Sequence, residues 1–335
     1  MSPFDFHPRS GLSLGRVVAI GGGTGLPALL QSLRPIKGEP SFEELKAIVT
    51  VADTGGSSGR LRRDLGTLAP GDIRNCLVAL SGAPEILTKL FQYRFSQGEL
   101  DGHSFGNLFI VALAGVTGDF STAIEKLHDI LAIKGQIYPS AKENVELVAQ
   151  FDDGEMVMGE EAIPRKMGRI ASISIYPPNP DPPEGAIEAL KCADLILLGP
   201  GSLFTSIIPN LLVPKIREAI LESSARKVFV LNLATQPGET DGFRASDHIK
   251  AVFGHSADGI VDTILVNTER LSGDLEKNYQ EAGSPLVEID EDALVSLNLS
   301  IVKKDLLAAG EFARHDPKKL RQAILELMKT AVEKI

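Results

Sequence analysis

Residues 16–33 read RVVAIGGGTGLPALLQSL. This stretch decides the fold. Arg16–Ile20 is a short Val/Ile-rich run with the character of a buried strand. The glycine run Gly21-Gly22-Gly23-Thr24-Gly25 follows at once, and the apolar helix Leu26–Leu33 comes next. A strand that turns on glycines into a helix is the opening unit of a wound α/β sheet. Gly23-x-Gly25-x-x-Ala28 fits the G-x-G-x-x-G/A phosphate-binding fingerprint. Glycines permit the tight turn and let main-chain N–H groups approach a phosphate. The helix N-terminus adds roughly +0.5 of a charge there. A plain strand-to-helix turn is the unadorned alternative. No G-K-[ST] follows, so this is not a Walker A loop.

Working outward, similar apolar runs recur. Ala47–Val51, Ile170–Ile175, Asp194–Leu198, Val228–Leu233 and Ile264–Val266 lack strict alternation, as strands covered on both faces do. Helical patterns lie between most of them. This alternation predicts an α/β fold: a doubly wound, mostly parallel sheet with helices on both faces. Asp316 and Pro317 open a helix whose apolar residues Leu320, Ala323, Ile324, Leu327, Met328, Ala331 and Val332 repeat at helical spacing. Thr122 and Glu125 have capping-box spacing. Residues 1–15 read as a loose lead-in, and the PPNPDPP segment at 177–183 marks where the architecture changes. A two-domain split there and one continuous sheet both fit the pattern.

Composition sets the outer bounds. The chain has 335 residues, of which 43% are hydrophobic and 23% charged, an ordinary globular balance long enough for a large core. The net charge of −10 disfavours nucleic-acid binding. Any anionic ligand must therefore be held by a local device. Cys76 and Cys192 each sit in an apolar run and read as small buried hydrophobes, which suits a reducing cytoplasm. The first residues lack a secretory signal pattern, and no run of ~18 apolar residues occurs, so membrane insertion is not expected.

Five further segments carry polar residues to the ends of these strands. Asp53 is followed by Thr54-Gly55-Gly56-Ser57-Ser58-Gly59-Arg60, a second nest of amides with hydroxyl and guanidinium donors. An acidic residue there suits a ribose hydroxyl. In Pro70-Gly71-Asp72-Ile73-Arg74-Asn75, Asp72 is either a helix cap or a ligand, and Arg74 and Asn75 can face a ligand. Gly102-His103-Ser104 presents a candidate proton shuttle in His103. Gly199-Pro200-Gly201-Ser202 and Thr205 repeat the strand–glycine–hydroxyl arrangement, with a Ser202 cap as the simpler reading. Asn232, Thr235 and Gln236 stand at another strand end, where buried amides are costly unless used. Asn267-Thr268 follows the Ile264–Val266 run in the same way. Asp53, alone or with Asp72, offers hard oxygen ligands to Mg²⁺. No H-E-x-x-H, paired-Cys or G-x-S-x-G pattern occurs. The fingerprint alone also admits NAD, although no hydride-transfer base stands out.

The blocks AIGGGTGLPALL (19–30), TVADTGGSSGRLRRDLGTLAPGDIRNCLVAL (50–80), FQYRF (91–95), GHSFGNL (102–108), LGPGSLFTSIIPNLLV (198–213) and NLATQPGETDGF (232–243) resemble those of the YvcK/CofD-like family. The resemblance runs from about Arg16 onward and is nearer the bacterial YvcK branch. It implies one Rossmann-like domain over 16–335, in the cytoplasm. That branch is described as a gluconeogenesis factor needed for cell shape on gluconeogenic carbon, and as binding UDP-sugars such as UDP-N-acetylglucosamine. The other branch transfers 2-phospho-L-lactate from a nucleotide diphosphate-linked donor with Mg²⁺. Carried over by motif, Gly22, Gly23, Thr24 and Gly25 would hold phosphate beside Asp53, Gly55, Gly56, Ser57 and Ser58. Asn107, Gly201, Ser202, Thr205, Asn232 and Gln236 would line the cleft. Tyr279 and Arg314 match positions linked to the UDP-sugar, where a ring and a guanidinium fork suit base stacking and phosphate pairing. The resemblance leaves turnover open and implies homo-oligomers and envelope-synthesis partners as expectations. Thr54 stands where many relatives carry an acid, which weakens a two-carboxylate metal site. Pro317 stands where relatives often carry a phosphorylatable threonine.

Overall fold

The computed structural model describes residues 14–310 and 312–332. The lead-in expected over 1–15 lies outside them except for Leu14 and Gly15. Those two are tied to the crossover that follows β1, through Leu14 N–H to Ser41 O and Glu43 N–H to Gly15 O.

Ten strands form two sheets: β1 (Arg16–Gly21), β2 (Glu44–Val49), β3 (Gln136–Pro139), β4 (Glu146–Phe151), β5 (Met156–Met158), β6 (Ile170–Tyr176), β7 (Leu195–Leu198), β8 (Arg226–Val230), β9 (Thr263–Asn267) and β10 (Ser300–Lys304). Seven form a sheet in the order β10-β9-β8-β7-β1-β2-β3, parallel throughout. From β1 in the middle the chain winds outward to β3, returns to the other flank of β1 as β7, and winds outward again. This is the dinucleotide-fold order with one strand added, and its reversal point lies between β1 and β7. Val17, Val18, Ala19 and Ile20 are fully buried, as are all four residues of β7, because helices cover both faces. The helix Gly25–Leu33 puts Leu26, Leu29, Leu30 and Leu33 on the sheet at i, i+3, i+4 and i+7 spacing.

Between β3 and β7 the chain inserts a small antiparallel sheet, β5-β4-β6. The run Ile170–Ile175 is therefore not a strand of the main sheet. Ile170, Ile173 and Ile175 face the core and the residues between them face water, which is half-covered alternation. PPNPDPP is the return from this insertion to the helix Glu184–Cys192.

Three local expectations are corrected. Asp119, not Thr122, caps the helix Phe120–Ile130, its carboxylate accepting from the Thr122 N–H at 2.7 Å. Cys76 is buried, but Cys192 is exposed on the last turn of its helix. Asp72 does not cap its own helix, Gly71–Leu80, because its carboxylate is engaged elsewhere. Asp316 does cap the helix Pro317–Val332, accepting from the N–H groups of Lys318 and Lys319. That helix lies against Gly25–Leu33. Arg321, 4% exposed, reaches Glu39 and donates to the carbonyls of Ser32, Arg34 and Pro40. Among the described residues no single helix is long and apolar enough to cross a membrane.

Candidate functional site

The loops that leave β1 and β7 meet over the reversal point. Their glycines make the meeting sterically feasible. A Cβ on Gly25 would lie 2.2 Å from the Pro200 carbonyl oxygen, and one on Gly22 would lie 2.5 Å from Thr50 Cγ2 and 2.7 Å from Asp72 Oδ2. Gly23 and Gly201 have positive φ (59° and 152°), which a side chain would resist. Four glycines in five residues thus serve backbone-to-backbone contact as well as any ligand.

The Gly23 amide is not bare. Its N–H donates to Asp72 Oδ2 at 2.7 Å. Thr24 caps the following helix with no side-chain bond, and its N–H has no partner among the described residues. Asp72 is pushed up to about 6, mainly by burial and further by the neighbouring Asp53, against the stabilising Gly23 bond. Asp53 lies four residues beyond the end of β2. Its Oδ1 accepts from the Gly55 N–H at 2.8 Å, and a Cβ on Gly71 would stand 2.8 Å from its Oδ2.

The serine nest is internal mortar. Ser57 and Ser58 are buried. Ser58 Oγ accepts from the Gly71 N–H at 3.1 Å, and Ser57 Oγ meets His103 Nδ1 at 3.0 Å. His103 is buried, and desolvation followed by the charge of Arg60 lowers its pKa. Arg74 donates to Asn107 Oδ1 at 3.1 Å and to Asn75 Oδ1 at 2.7 Å, so these three predicted residues form one cluster.

On the β7 side the predicted polar residues knit around a carboxylate that the sequence reading did not single out. Glu239 accepts from the Thr205 hydroxyl, the Phe204 N–H and the Gln236 amide, and Gln236 Oε1 accepts from the Ser202 hydroxyl. Burial raises the Glu239 pKa against these bonds. The network fixes the turn Leu203–Ile207, whose Ser202 is therefore not a side-chain cap. Asn232 clamps Gly201 twice, accepting from its N–H at 2.9 Å and donating to its carbonyl at 2.8 Å. Gly199, also at positive φ, begins this turn. Thr235 is buried and bonded to Pro285, so it supports the rim from behind. Tyr279 and Arg314 stand together further along that rim. The Tyr279 hydroxyl accepts from the Ala313 N–H at 2.8 Å, and the exposed Arg314 stacks over Phe312.

The inserted sheet contributes Glu160. The Glu161 N–H donates to Thr54 Oγ1 at 3.3 Å, which docks this loop against the Asp53 turn. Burial, then the charges of Asp53 and Asp72, push Glu160 up to about 8. No local motif marks Glu160, because its place depends on the insertion folding over the rim. Two cavities lie near these elements, and the lining of neither includes Gly22–Gly25 or Gly199–Ser202. One of about 930 Å³ is walled by Phe204, Glu239 and His255. Another of about 940 Å³ is walled by Thr54, Gly59 and Arg62. Among the described residues no three His, Cys, Asp or Glu side chains are grouped to hold a metal ion. The donor set fits a hard cation shared between one or two carboxylates and a phosphate, not an all-protein cage.

Residues 17–307 match the family described as 2-phospho-L-lactate transferase CofD. The chain belongs to the CofD family. It is 52% identical over 316 residues to a protein of Aquifex aeolicus, across 93% of this chain and 96% of that one. It is 42% identical over 316 residues to the gluconeogenesis factor of Bacillus subtilis strain 168, across 94% and 98%. A crystal structure of a UPF0052-family protein from Bacillus halodurans superposes with a TM-score of 0.89 at 42% identity, covering 93% of this chain and 99% of that one. Sequence and architecture thus place the chain in the CofD family and among the gluconeogenesis factors.

Proposed function

We propose that the protein binds a UDP-sugar of the UDP-N-acetylglucosamine type and acts in the cytoplasm as a regulator linking carbon supply to envelope building and cell shape. One observation carries the binding reading: the loops after β1 and β7 converge at the reversal point of a parallel sheet, where such folds accept nucleotides. The diphosphate lies at the turn of Thr24 and Gly25, with Gly22, Gly23 and Gly201 allowing its approach. The uridine end extends toward Tyr279 and Arg314. Asp72 must yield the Gly23 N–H for the loop to close fully on the phosphate. The test is calorimetric titration with UDP-N-acetylglucosamine. Tyr279→Ala and Arg314→Ala should each weaken binding about tenfold, the loss of one stacking or charge-assisted contact. Absence of binding at millimolar ligand overturns the reading. The cellular part is tested in a bacterium lacking its own relative. The wild-type gene should restore shape on gluconeogenic carbon, and the Tyr279→Ala gene should not.

A second reading, transfer of a phospho-group from a nucleotide diphosphate-linked donor, is favoured by the three carboxyls Asp53, Asp72 and Glu160 beside the loops. Asp53, with Asp72, would hold Mg²⁺ jointly with the diphosphate, and the ion would neutralise charge on that group. Asp53→Asn should abolish turnover with such donors while retaining nucleotide binding. Lack of turnover with any nucleotide-linked donor removes this reading.

A further inference from the structure

Three arginines of this acidic chain gather at one rim with no carboxylate in direct ion-pair contact among the described residues. Arg60, Arg74 and Arg94 join no ion pair among the described residues; other arginines, such as Arg34 and Arg217, also lack one, but these three lie around one turn. Arg60 donates to the Asp101 carbonyl at 2.6 Å, and Arg94 donates to the Gly102 carbonyl. Both guanidiniums therefore grip the hairpin turn that carries His103. Backbone bonds between Phe95 and His103 and between Gly102 and Phe95 close that hairpin. Each arginine is aimed by a neutral carbonyl and keeps most of its N–H donors free.

Arg74 completes the group. Its two terminal nitrogens meet only the neutral oxygens of Asn107 and Asn75, and its Nε is buried with no partner. A Cβ on Gly106 would come within 2.8 Å of Arg74 Cδ and 2.5 Å of the Phe91 carbonyl, so the glycine makes room for the arginine stem at the start of the helix Phe105–Thr117. The charges are close enough to sense one another: after the larger effect of burial, Arg94 lowers the pKa of Arg74 while Asp72 and Asp53 raise it, and Arg60 and Arg94 lower that of His103 while Asp64 raises it. Three guanidiniums around one turn, none in hydrogen-bond contact with a carboxylate, leave donors directed at a shared spot that an anion can occupy.

We propose that Arg60, Arg74, Arg94 and His103 form a second anion subsite that takes the phosphate-monoester group of a second ligand, separate from the diphosphate at the β1 and β7 loops. Guanidinium forks match a phosphate geometrically, and the helix N-terminus at Phe105 adds favourable partial charge. Asp72 accepts from the Gly23 N–H and also acts on the charge of Arg74, so its carboxyl links the two anion positions. The site therefore seats two anionic molecules linked through one carboxyl group. This deepens the proposed nucleotide-sugar reading by giving that site a second small phosphorylated ligand.

The experiment is titration of the full chain with inorganic phosphate, monitored by calorimetry, without and with saturating UDP-N-acetylglucosamine. Saturable phosphate binding that persists beside the nucleotide sugar is expected. Arg94→Gln and Arg60→Gln should each weaken phosphate binding about tenfold, the loss of a charge-assisted bond, and Arg94→Gln should leave UDP-N-acetylglucosamine affinity unchanged. Thermal unfolding of each variant checks that the fold is intact. Phosphate affinity unchanged in both variants, competition between phosphate and the nucleotide sugar, or no saturable phosphate binding at millimolar concentration each overturns the subsite. Failure of the nucleotide sugar to bind while phosphate binds in an Arg94-dependent way would reject the proposed function and leave this subsite standing.

Discussion

The carboxylate of Asp72 accepts a hydrogen bond from the main-chain N–H of Gly23 at 2.7 Å, so a side chain 49 positions further along the chain already sits where a phosphate oxygen is expected. The glycine loop is satisfied by the protein's own acid, which burial holds up to about 6.

The first prediction follows from that acid. Its folded pKa of about 6 exceeds its ordinary 3.8, so between those values the folded state holds more protons than the unfolded one. Stability due to Asp72 is full below about 4 and declines as pH rises to about 6. Asp72→Asn removes this decline. Urea unfolding at pH 4 and pH 7.5 should show the variant gaining on wild type at the higher pH by on the order of 1–3 kcal/mol. An equal gap at both pH values would contradict the assignment.

Gly25→Ala tests the meeting of the two loops. The new methyl would stand 2.2 Å from the Pro200 carbonyl oxygen, so one loop must retreat. Destabilisation of about 1–3 kcal/mol is expected for such overpacking, with weaker UDP-N-acetylglucosamine binding. Denaturant unfolding and calorimetry measure both, and a variant indistinguishable from wild type would mean the loops are not in contact.

Much of this architecture is legible in the sequence, and the parts that are not have a common physical cause. The β1 unit, β7, β8 and β9 announce themselves because strands covered on both faces are continuously apolar. β10 and β3 stand at the sheet edges, and β4 and β5 belong to the insertion. Their half-exposed residues dilute the apolar signal. Within the site, Gly22–Gly25, Asp53, Asp72 and Arg74 are readable because turns and strand ends have local signatures. Glu160, Glu239 and Arg94 are not. Each reaches the site through long-range packing, and a glutamate on a loop looks like any solvated acid until something folds over it. The same limit misjudges roles: Ser57, Ser58 and Asn232 are correctly grouped near the loops, yet their polar atoms are spent on holding those loops together.

His315 gives an acid-side prediction. Burial lowers its pKa to about 4, below the ordinary 6.5, so the unfolded state binds the extra proton first. Its contribution to stability is full above about 6.5 and is lost as pH falls toward 4. His315→Gln should flatten the pH dependence of thermal unfolding over that interval. Persistence of the full wild-type slope in the variant would remove His315 as its source.

Asp316→Ala removes the acceptor for the Lys318 and Lys319 amides. A loss of about 1 kcal/mol is expected for a helix cap. Guanidinium unfolding measures it, and no change in midpoint would show that water replaces the cap without cost.

Arg321 gives the molecule an order of assembly. Its guanidinium closes on carbonyls at the end of the helix Gly25–Leu33, some 289 positions earlier in the chain. The helix Gly25–Leu33, synthesised long before its cover, therefore waits with one flank wet until residues 317–332 have emerged. During synthesis that flank is open to chaperones, and a truncated transcript would yield a product in which this helix is left uncovered.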